Sequence, residues 1–178
     1  DLGEELACRS CMISAIVASG WAGEIGHRGV VPWLGRVPND MKHFRAITRG
    51  GTLVMGRVTA DSIKLPLAGR TAIIVTSRVN ETLERHGGYS LVVDSFNAAL
   101  ALVPDDKTFI VGGASIYRQA LQTGVIDVLY RTVIHGNFKA DAFFSFDRTA
   151  FELASTRTFP PDEKNEFGCT FEVLKKIV

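Results

Sequence analysis

Short runs of apolar, mostly β-branched residues alternate along the chain with stretches in which apolar positions recur every three or four residues. The first pattern is that of strands buried on both faces and the second that of amphipathic helices. Their alternation marks an α/β domain. Met12–Ser19 reads as a buried strand. It is followed by a long irregular stretch, Gly20–Val37, which holds five glycines together with Trp21, Pro32 and Trp33. Loops of this length inside a compact domain tend to be functional. Pro38–Arg49 is predicted as a helix, approached through Val37–Pro38–Asn39 and stopped at Gly50–Gly51. A strand at Thr52–Met55, a short helix from Val58 to Ile63 and a turn at Pro66–Gly69 come next. Strands follow at Thr71–Ser77 and Ser90–Val93, then a helix at Phe96–Leu102 capped by Asp94–Ser95. Thr108–Val111 is a further strand, closing on Gly112–Gly113 ahead of a helix at Ser115–Thr123. Val125–Ile134 and Phe167–Ile177 read as long final strands and antiparallel neighbours, with Phe151–Thr158 a further strand between them. No repeat, low-complexity tract or linker interrupts residues 12–178, so one domain is expected.

Composition narrows the function classes. Twenty basic residues against nineteen acidic ones, a net charge of +1, argue against a nucleic-acid track, while a small phosphorylated ligand needs only a local patch. No apolar run approaches the roughly 20 residues of a membrane span. The three cysteines, Cys8, Cys11 and Cys169, do not make a disulfide framework, and the Cys8-x-x-Cys11 spacing has no second pair to complete a zinc site. Residues 1–11 lack the pattern of a signal peptide and read as an N-terminal extension or expression remnant. A reducing cytoplasm is the expected compartment.

The chain has no G-x-x-x-x-G-K-[ST], G-x-G-x-x-G, H-E-x-x-H or G-x-S-x-G motif, and His27, His43, His86 and His135 are scattered without ligand-like spacing. No metal is expected. The informative helix is Pro38–Arg49, where Asp40 falls on the same face as the stripe of Met41, Phe44 and Ile47–Thr48. Such a carboxylate can be a helix cap, but Asn39 could cap equally well, and the preceding loop is the glycine- and tryptophan-rich one. In an apolar cleft its charged form would be desolvated and its pKa raised, which suits proton exchange with a ring presenting adjacent N–H donors. Met55-Gly-Arg-Val-Thr59 and Val111-Gly-Gly-Ala-Ser115 each place glycine at a strand-to-helix junction, and Ser77–Arg78 ends another strand. Ligands of parallel sheets bind at such strand ends, where helix N-termini favour phosphate. Three junctions of this kind point to an extended ligand carrying several phosphates, a dinucleotide.

The ordered series MISAIVA, Ile25–Gly26, Pro32–Trp33, Pro38-Asn-Asp40-Met-Lys-His-Phe44, Val54-Met-Gly-Arg-Val-Thr59, Pro66-Leu-Ala-Gly-Arg70, Val111-Gly-Gly113 with Tyr117, and Thr132 near Asp141 resembles the dihydrofolate reductase family. The likeness runs from Met12 to about Val178 and implies a mostly parallel twisted central sheet with flanking helices and an antiparallel C-terminal strand. It implies reduction of dihydrofolate to tetrahydrofolate, by hydride transfer from NADPH to C6 and protonation at N5. On that basis Asp40 would hold the pterin and promote its protonation, with Trp33 and Thr132 as its catalytic companions. Ile16, Val17, Met41, Phe44, Ile63 and Leu67 would wall the folate, and Arg70 would clamp its glutamate carboxylate. Ala18, Ile25, Gly26 and Tyr117 would border the nicotinamide. Gly56, Thr59, Val111, Gly112, Gly113, Ala114, Ser115 and Ile116 would lie along the cofactor, with Gly112–Gly113 joined by a cis peptide. Arg57, Ser77 and Arg78 would meet the 2′-phosphate. The resemblance implies a monomer with no nucleic-acid or membrane partner.

The chain departs from the family pattern in four places. Leu34–Val37 lengthens the stretch before Asp40, Val31 stands before Pro32, Ala60 replaces an aromatic residue and Ala114 a third glycine. The altered loop implies lower sensitivity to trimethoprim-like inhibitors. Two other readings fit the fold: an NADPH-dependent reductase of another substrate, such as the pyrimidine reductases of riboflavin synthesis, and a catalytically silent folate- or nucleotide-binding protein. Asp40 with Phe44 and Arg70 favours a pterin with a glutamate tail over the former, and the intact Asp40 and glycine pair argue against the latter.

Overall fold

A computed structural model describes residues 12–104 and 106–178; the extension and its Cys8-x-x-Cys11 lie outside the described residues. The strands are β1 (Ile13–Ser19), β2 (Glu24–Gly26), β3 (Thr52–Gly56), β4 (Thr71–Val75), β5 (Ser90–Val93), β6 (Thr108–Ile110), β7 (Val128–Ile134), β8 (Ala142–Phe143), β9 (Phe151–Phe159) and β10 (Cys169–Lys176). The helices are α1 (Pro38–Ile47), α2 (Arg57–Ser62), α3 (Val79–His86), α4 (Phe96–Leu102) and α5 (Ala114–Gln122). Eight strands form one sheet in the order β5-β4-β3-β6-β1-β7-β10-β9. Every pairing from β5 through β7 is parallel, and β10 runs antiparallel to both β7 and β9.

The continuous apolar character of the central strands follows from this topology. Successive residues point to opposite faces, and both faces are covered. Ala15, Val17, Val54, Ile73 and Ile110 pack on one side with Phe96 and Ala99 of α4 and Ile116 and Ala120 of α5. Ile16, Leu53, Met55, Ala72, Ile74 and Phe109 pack on the other, against Phe44 and Ile47 of α1 and Ile63 after α2. The C-terminal strands behave differently: β9 is exposed along nearly its whole length, because it is the edge of the sheet.

The expected elements form with ends shifted by at most three residues, as helix fraying and strand ends commonly allow. The two long final strands are antiparallel neighbours as expected, β10 against β7, and β9, which lies between them in the chain, sits beyond β10 at the sheet edge. Two features depart from the sequence reading. Helix α3, Val79–His86, was not read, since its sequence VNETLERH buries only Thr82 and His86 and shows little apolar stripe. A two-stranded sheet of β2 and β8 was not read either; it pins part of the long first loop against residues 142–143. Among the described residues no helix is long and apolar enough to cross a membrane.

Candidate active site

The chain runs outward from β3 to β5, then returns through β6 to the seat beside β1, so the direction of winding reverses next to β1. Clefts open at such reversals, outside the carboxyl ends of the strands. Here the cleft has a volume of about 820 Å³, within the range of small-molecule sites. Its wall gathers Ile16, Val17 and Ala18 from β1, Ile25 and Gly26 from β2, and Trp33 from the long loop. Asp40, Met41 and Phe44 come from α1, Gly56, Arg57 and Thr59 from the β3–α2 junction, and Ile63 from just beyond. Ser77 after β4 and Val111, Gly113, Ala114, Ser115, Ile116 and Tyr117 after β6 complete the expected set that faces it. Met41 is 38% exposed although it belongs to the apolar stripe, because that stripe faces the cleft rather than a closed core.

Asp40 occupies the third position of α1, on the cleft side. Burial of its carboxyl raises the pKa from 3.8 to about 6. Trp33 and Thr132 act on the carboxyl through their polar side-chain atoms and draw the value partway back. The buried indole Nε1 of Trp33 stops short of a well-formed hydrogen bond and has no close partner. Thr132 is 2% exposed on β7, in register with Ala18 of β1, which explains why it reaches the acid without forming part of the cleft wall. The Cys169 thiol behind it is pushed up to about 11, by burial first and then by the charge of Asp40. Such a carboxyl exchanges protons near neutral pH; Asp94 and Asp141 are the other acids on the cleft wall.

The other half of the cleft is built from backbone. Helices α2 and α5 both begin at the wall with glycine N-caps, Gly56 and Gly113, and with no side-chain cap on their first N–H groups. A Cβ on Gly56 would stand 3.3 Å from Ile116 Cγ1, so the two junctions pack tightly against each other. Gly112 has φ +107, and a Cβ there would lie 2.9 Å from the ring of Tyr117. The Gly112–Gly113 peptide is cis. Tyr117 donates its hydroxyl to the carbonyl of Ile16 at 2.7 Å, tying α5 to β1 beneath the cleft. Uncapped N–H groups and close backbone approach suit a pyrophosphate, and β4, β3 and β6, which end in these junctions, are consecutive neighbours in the sheet.

Several expected residues stand elsewhere. Gly112 and Leu67 are not on the wall; Leu67 packs with Phe44 and Ile63 behind it. Arg78 is also off the wall, exposed and 3.7 Å from Glu81. Arg57 reaches the wall but is already paired with Asp61 at 2.9 Å. Arg70 lies outside the cleft wall, and its guanidinium donates to Thr48 Oγ1 at 2.9 Å, the Ala68 carbonyl at 2.9 Å and the Arg45 carbonyl at 2.8 Å. Asn39 does not cap α1: Val37 is the N-cap residue and supplies no side-chain bond. The sequence reading also missed wall residues. Gly29, Val30, Leu34 and Gly35 belong to the long loop already singled out, whereas Asp94 and Ser95 were read only as a cap, although they too end a strand. Ser95 does cap α4, accepting from the Ala98 N–H at 3.2 Å. Among the described residues no group of three or more His, Cys, Asp or Glu side chains is arranged to hold a metal ion.

Comparison with known proteins adds independent findings. A family model described as dihydrofolate reductase matches residues 12–176. Dihydrofolate reductase type 3 of Salmonella typhimurium is 35% identical over 167 residues, which cover 93% of this chain and 98% of the relative. Dihydrofolate reductase of Bacillus subtilis strain 168 is 34% identical over 167 residues, covering 93% and 95%. Among solved structures, a dihydrofolate reductase from Enterococcus faecalis complexed with NADP(H) and RAB-propyl superposes with a TM-score of 0.80 at 34% identity. That match covers 94% of this chain and 97% of the other.

Proposed function

The chain belongs to the dihydrofolate reductase family, and from that premise we propose how its own residues carry out NADPH-dependent reduction of 7,8-dihydrofolate to 5,6,7,8-tetrahydrofolate. The observation that carries the assignment is Asp40, a carboxyl at the base of an apolar cleft with its pKa raised to about 6. Asp40 holds the pterin at N3 and the 2-amino group and promotes delivery of a proton to N5 through water. Trp33 helps hold that water beside the carboxyl on which it acts, and Thr132 orients the carboxyl from behind. Ile16, Val17, Met41, Phe44 and Ile63 supply the apolar walls for the ring and its linker, with Leu67 supporting them from behind.

Arg70 clamps the glutamate carboxylate. Three of its five N–H donors are spent on Thr48, Ala68 and Arg45, which fixes the plane of the guanidinium and leaves two for a carboxylate. Arg45 and Thr48 lie five and eight residues beyond Asp40, the former within α1 and the latter at its C-cap. At 1.5 Å per residue the acid and the clamp are roughly 10 Å apart along α1. A substrate with a proton-accepting ring at one end and a carboxylate tail at the other fits that spacing.

The uncapped helix starts, the Gly56 contact and the left-handed Gly112 fit a dinucleotide. When bound, NADPH supplies the hydride that reduces C6. Ala18, Ile25, Gly26 and Tyr117 border its nicotinamide, while Gly56, Thr59 and the backbone of Val111, Gly112, Gly113, Ala114, Ser115 and Ile116 cradle the pyrophosphate side. Arg57 and Ser77 receive the 2′-phosphate on the wall, Arg57 by sharing itself between that group and Asp61, and the exposed Arg78 joins them by turning from Glu81 toward the cleft. The protein acts as a monomer in the cytoplasm. The test is loss of reduced-nicotinamide absorbance on mixing with dihydrofolate, with Asp40→Asn in parallel. Turnover that disappears in the variant supports the reading. Binding of both ligands without turnover by the parent chain would move it to another substrate or to a binding role.

A further inference from the structure

The helix that carries Asp40 has no cap of its own. Its N-cap residue, Val37, offers no side-chain acceptor, and Pro38 at the first position has no N–H to satisfy. The next N–H, that of Asn39, donates at 2.9 Å to Oδ1 of Asn165, 126 residues away in the chain. Asn165 is 3% exposed and is itself held in one orientation. Its side-chain Nδ2 donates to Asp162 Oδ1 at 2.9 Å, and its backbone N–H donates to the same oxygen at 2.8 Å. The Lys164 N–H reaches that oxygen as well, and the Asp162 N–H closes the turn on the Asn165 carbonyl. The neighbouring residues grip the longer stretch before α1. The Glu166 N–H donates to the Arg36 carbonyl at 2.9 Å, the Glu166 carboxylate pairs with the Arg36 guanidinium, and that guanidinium lies 4.8 Å from the Phe167 ring centroid.

We propose that Asn165 is a positioning residue for Asp40: it caps α1 from the β9–β10 connection and fixes where the acid stands in the cleft. The proposal rests on Asp40 being the acid. A cap supplied by its own N-cap residue would move with the long loop as that loop shifts around a ligand. A cap supplied from residues 162–167, which are anchored between two sheet strands, lets the loop before Pro38 change while the start of α1 stays in place. The extra residues Leu34–Val37 are then accommodated as a bulge whose far end is tied through Arg36 to the same connection.

The first variant is Asn165→Ala, assayed by single-turnover hydride transfer and by fluorescence titration of NADPH. The expected result is a fall of about tenfold in the transfer rate at saturating dihydrofolate, with NADPH affinity within about twofold of the parent, since the acid is misplaced while the cofactor half is untouched. The second is Asp162→Ser with Asn165→Asp, in which a carboxylate at 165 accepts from the Asn39 N–H while a hydroxyl at 162 accepts from the backbone N–H groups of residues 164 and 165 and donates to that carboxylate. It is expected to restore the rate to within about threefold of the parent. A parental rate in Asn165→Ala overturns the proposal, as does an equal loss of rate and NADPH affinity. If Asn165→Ala does not fold, the double variant decides: a folded double variant with a rate still down tenfold or more overturns the proposal, and a recovered rate supports it. Asp40→Asn separates the two levels, because retained turnover there removes the underlying assignment whatever Asn165 does.

Discussion

Replacing Asp40 with asparagine perturbs a charge that the fold tolerates at a cost, so the variant should lose activity and gain stability together. Burial raises the carboxyl from 3.8 to about 6, and a shift of about 2 units corresponds to about 3 kcal/mol between the protonation states. The folded chain therefore binds a proton that the unfolded chain releases between roughly pH 4 and 6. Stability falls as pH rises through that window, and the full penalty is present above it. The Asn side chain carries no charge to desolvate. At pH 8 Asp40→Asn is expected to be more stable than the parent by about 1–3 kcal/mol, the lower part of the range applying because the cleft is open to water on one side. At pH 4 the two should be nearly equal. Urea unfolding at both pH values measures the difference. In single turnover, the parent's hydride transfer should decline about tenfold per pH unit above a midpoint near 6, since only about one molecule in ten is protonated at pH 7. The variant should be slower by about a hundredfold or more with no such midpoint. A parental stability difference at pH 8 would refute the desolvation argument, and a midpoint near 4 would refute the raised pKa.

Arg70→Leu is expected to weaken dihydrofolate binding by about tenfold to a hundredfold with NADPH binding unchanged, because the lost charge-assisted pair is worth about 1.5–3 kcal/mol; isothermal titration with each ligand checks it. Gly112→Ala forces a side chain onto φ +107, 2.9 Å from the Tyr117 ring, and should cost about 1–3 kcal/mol in urea unfolding together with NADPH affinity. Leu174→Ala empties a fully buried position of β10. It should cost about 2–5 kcal/mol in stability while leaving the Michaelis constants at low temperature within about twofold of the parent.

Much of the site was legible because its signals are local. Asp40 shares a helical face with Met41 and Phe44, and glycines stand where β3 and β6 end; both facts can be counted along the chain. The same strand-end reasoning was not extended to Asp94 and Ser95, because Ser95 also satisfied a simpler role as the cap of α4. Charged side chains were the poorest guide. Position along the chain offers Arg57 and Arg78 to a 2′-phosphate, whereas Arg57 pairs with Asp61 and Arg78 lies near Glu81 off the cleft wall. Long flexible side chains choose partners that periodicity does not record.

The sequence by itself determined most of the strands and helices, α3, β2 and β8 excepted, which faces they bury, and that Asp40 shares an apolar helix face opposite glycine-ended strands. These depend on residue spacing within a few turns or strand positions, which backbone geometry alone converts into faces. Only the tertiary structure decided that β9 lies at the sheet edge beyond β10, that β2 meets β8, and that Thr132 acts on Asp40 from outside the cleft wall. It alone decided that the Asn39 N–H, at the start of the helix carrying Asp40, meets Oδ1 of Asn165, 126 residues away. Such partnerships are fixed by which surfaces meet once the sheet is assembled. The hydrogen bonds that join them leave no periodic trace in the chain.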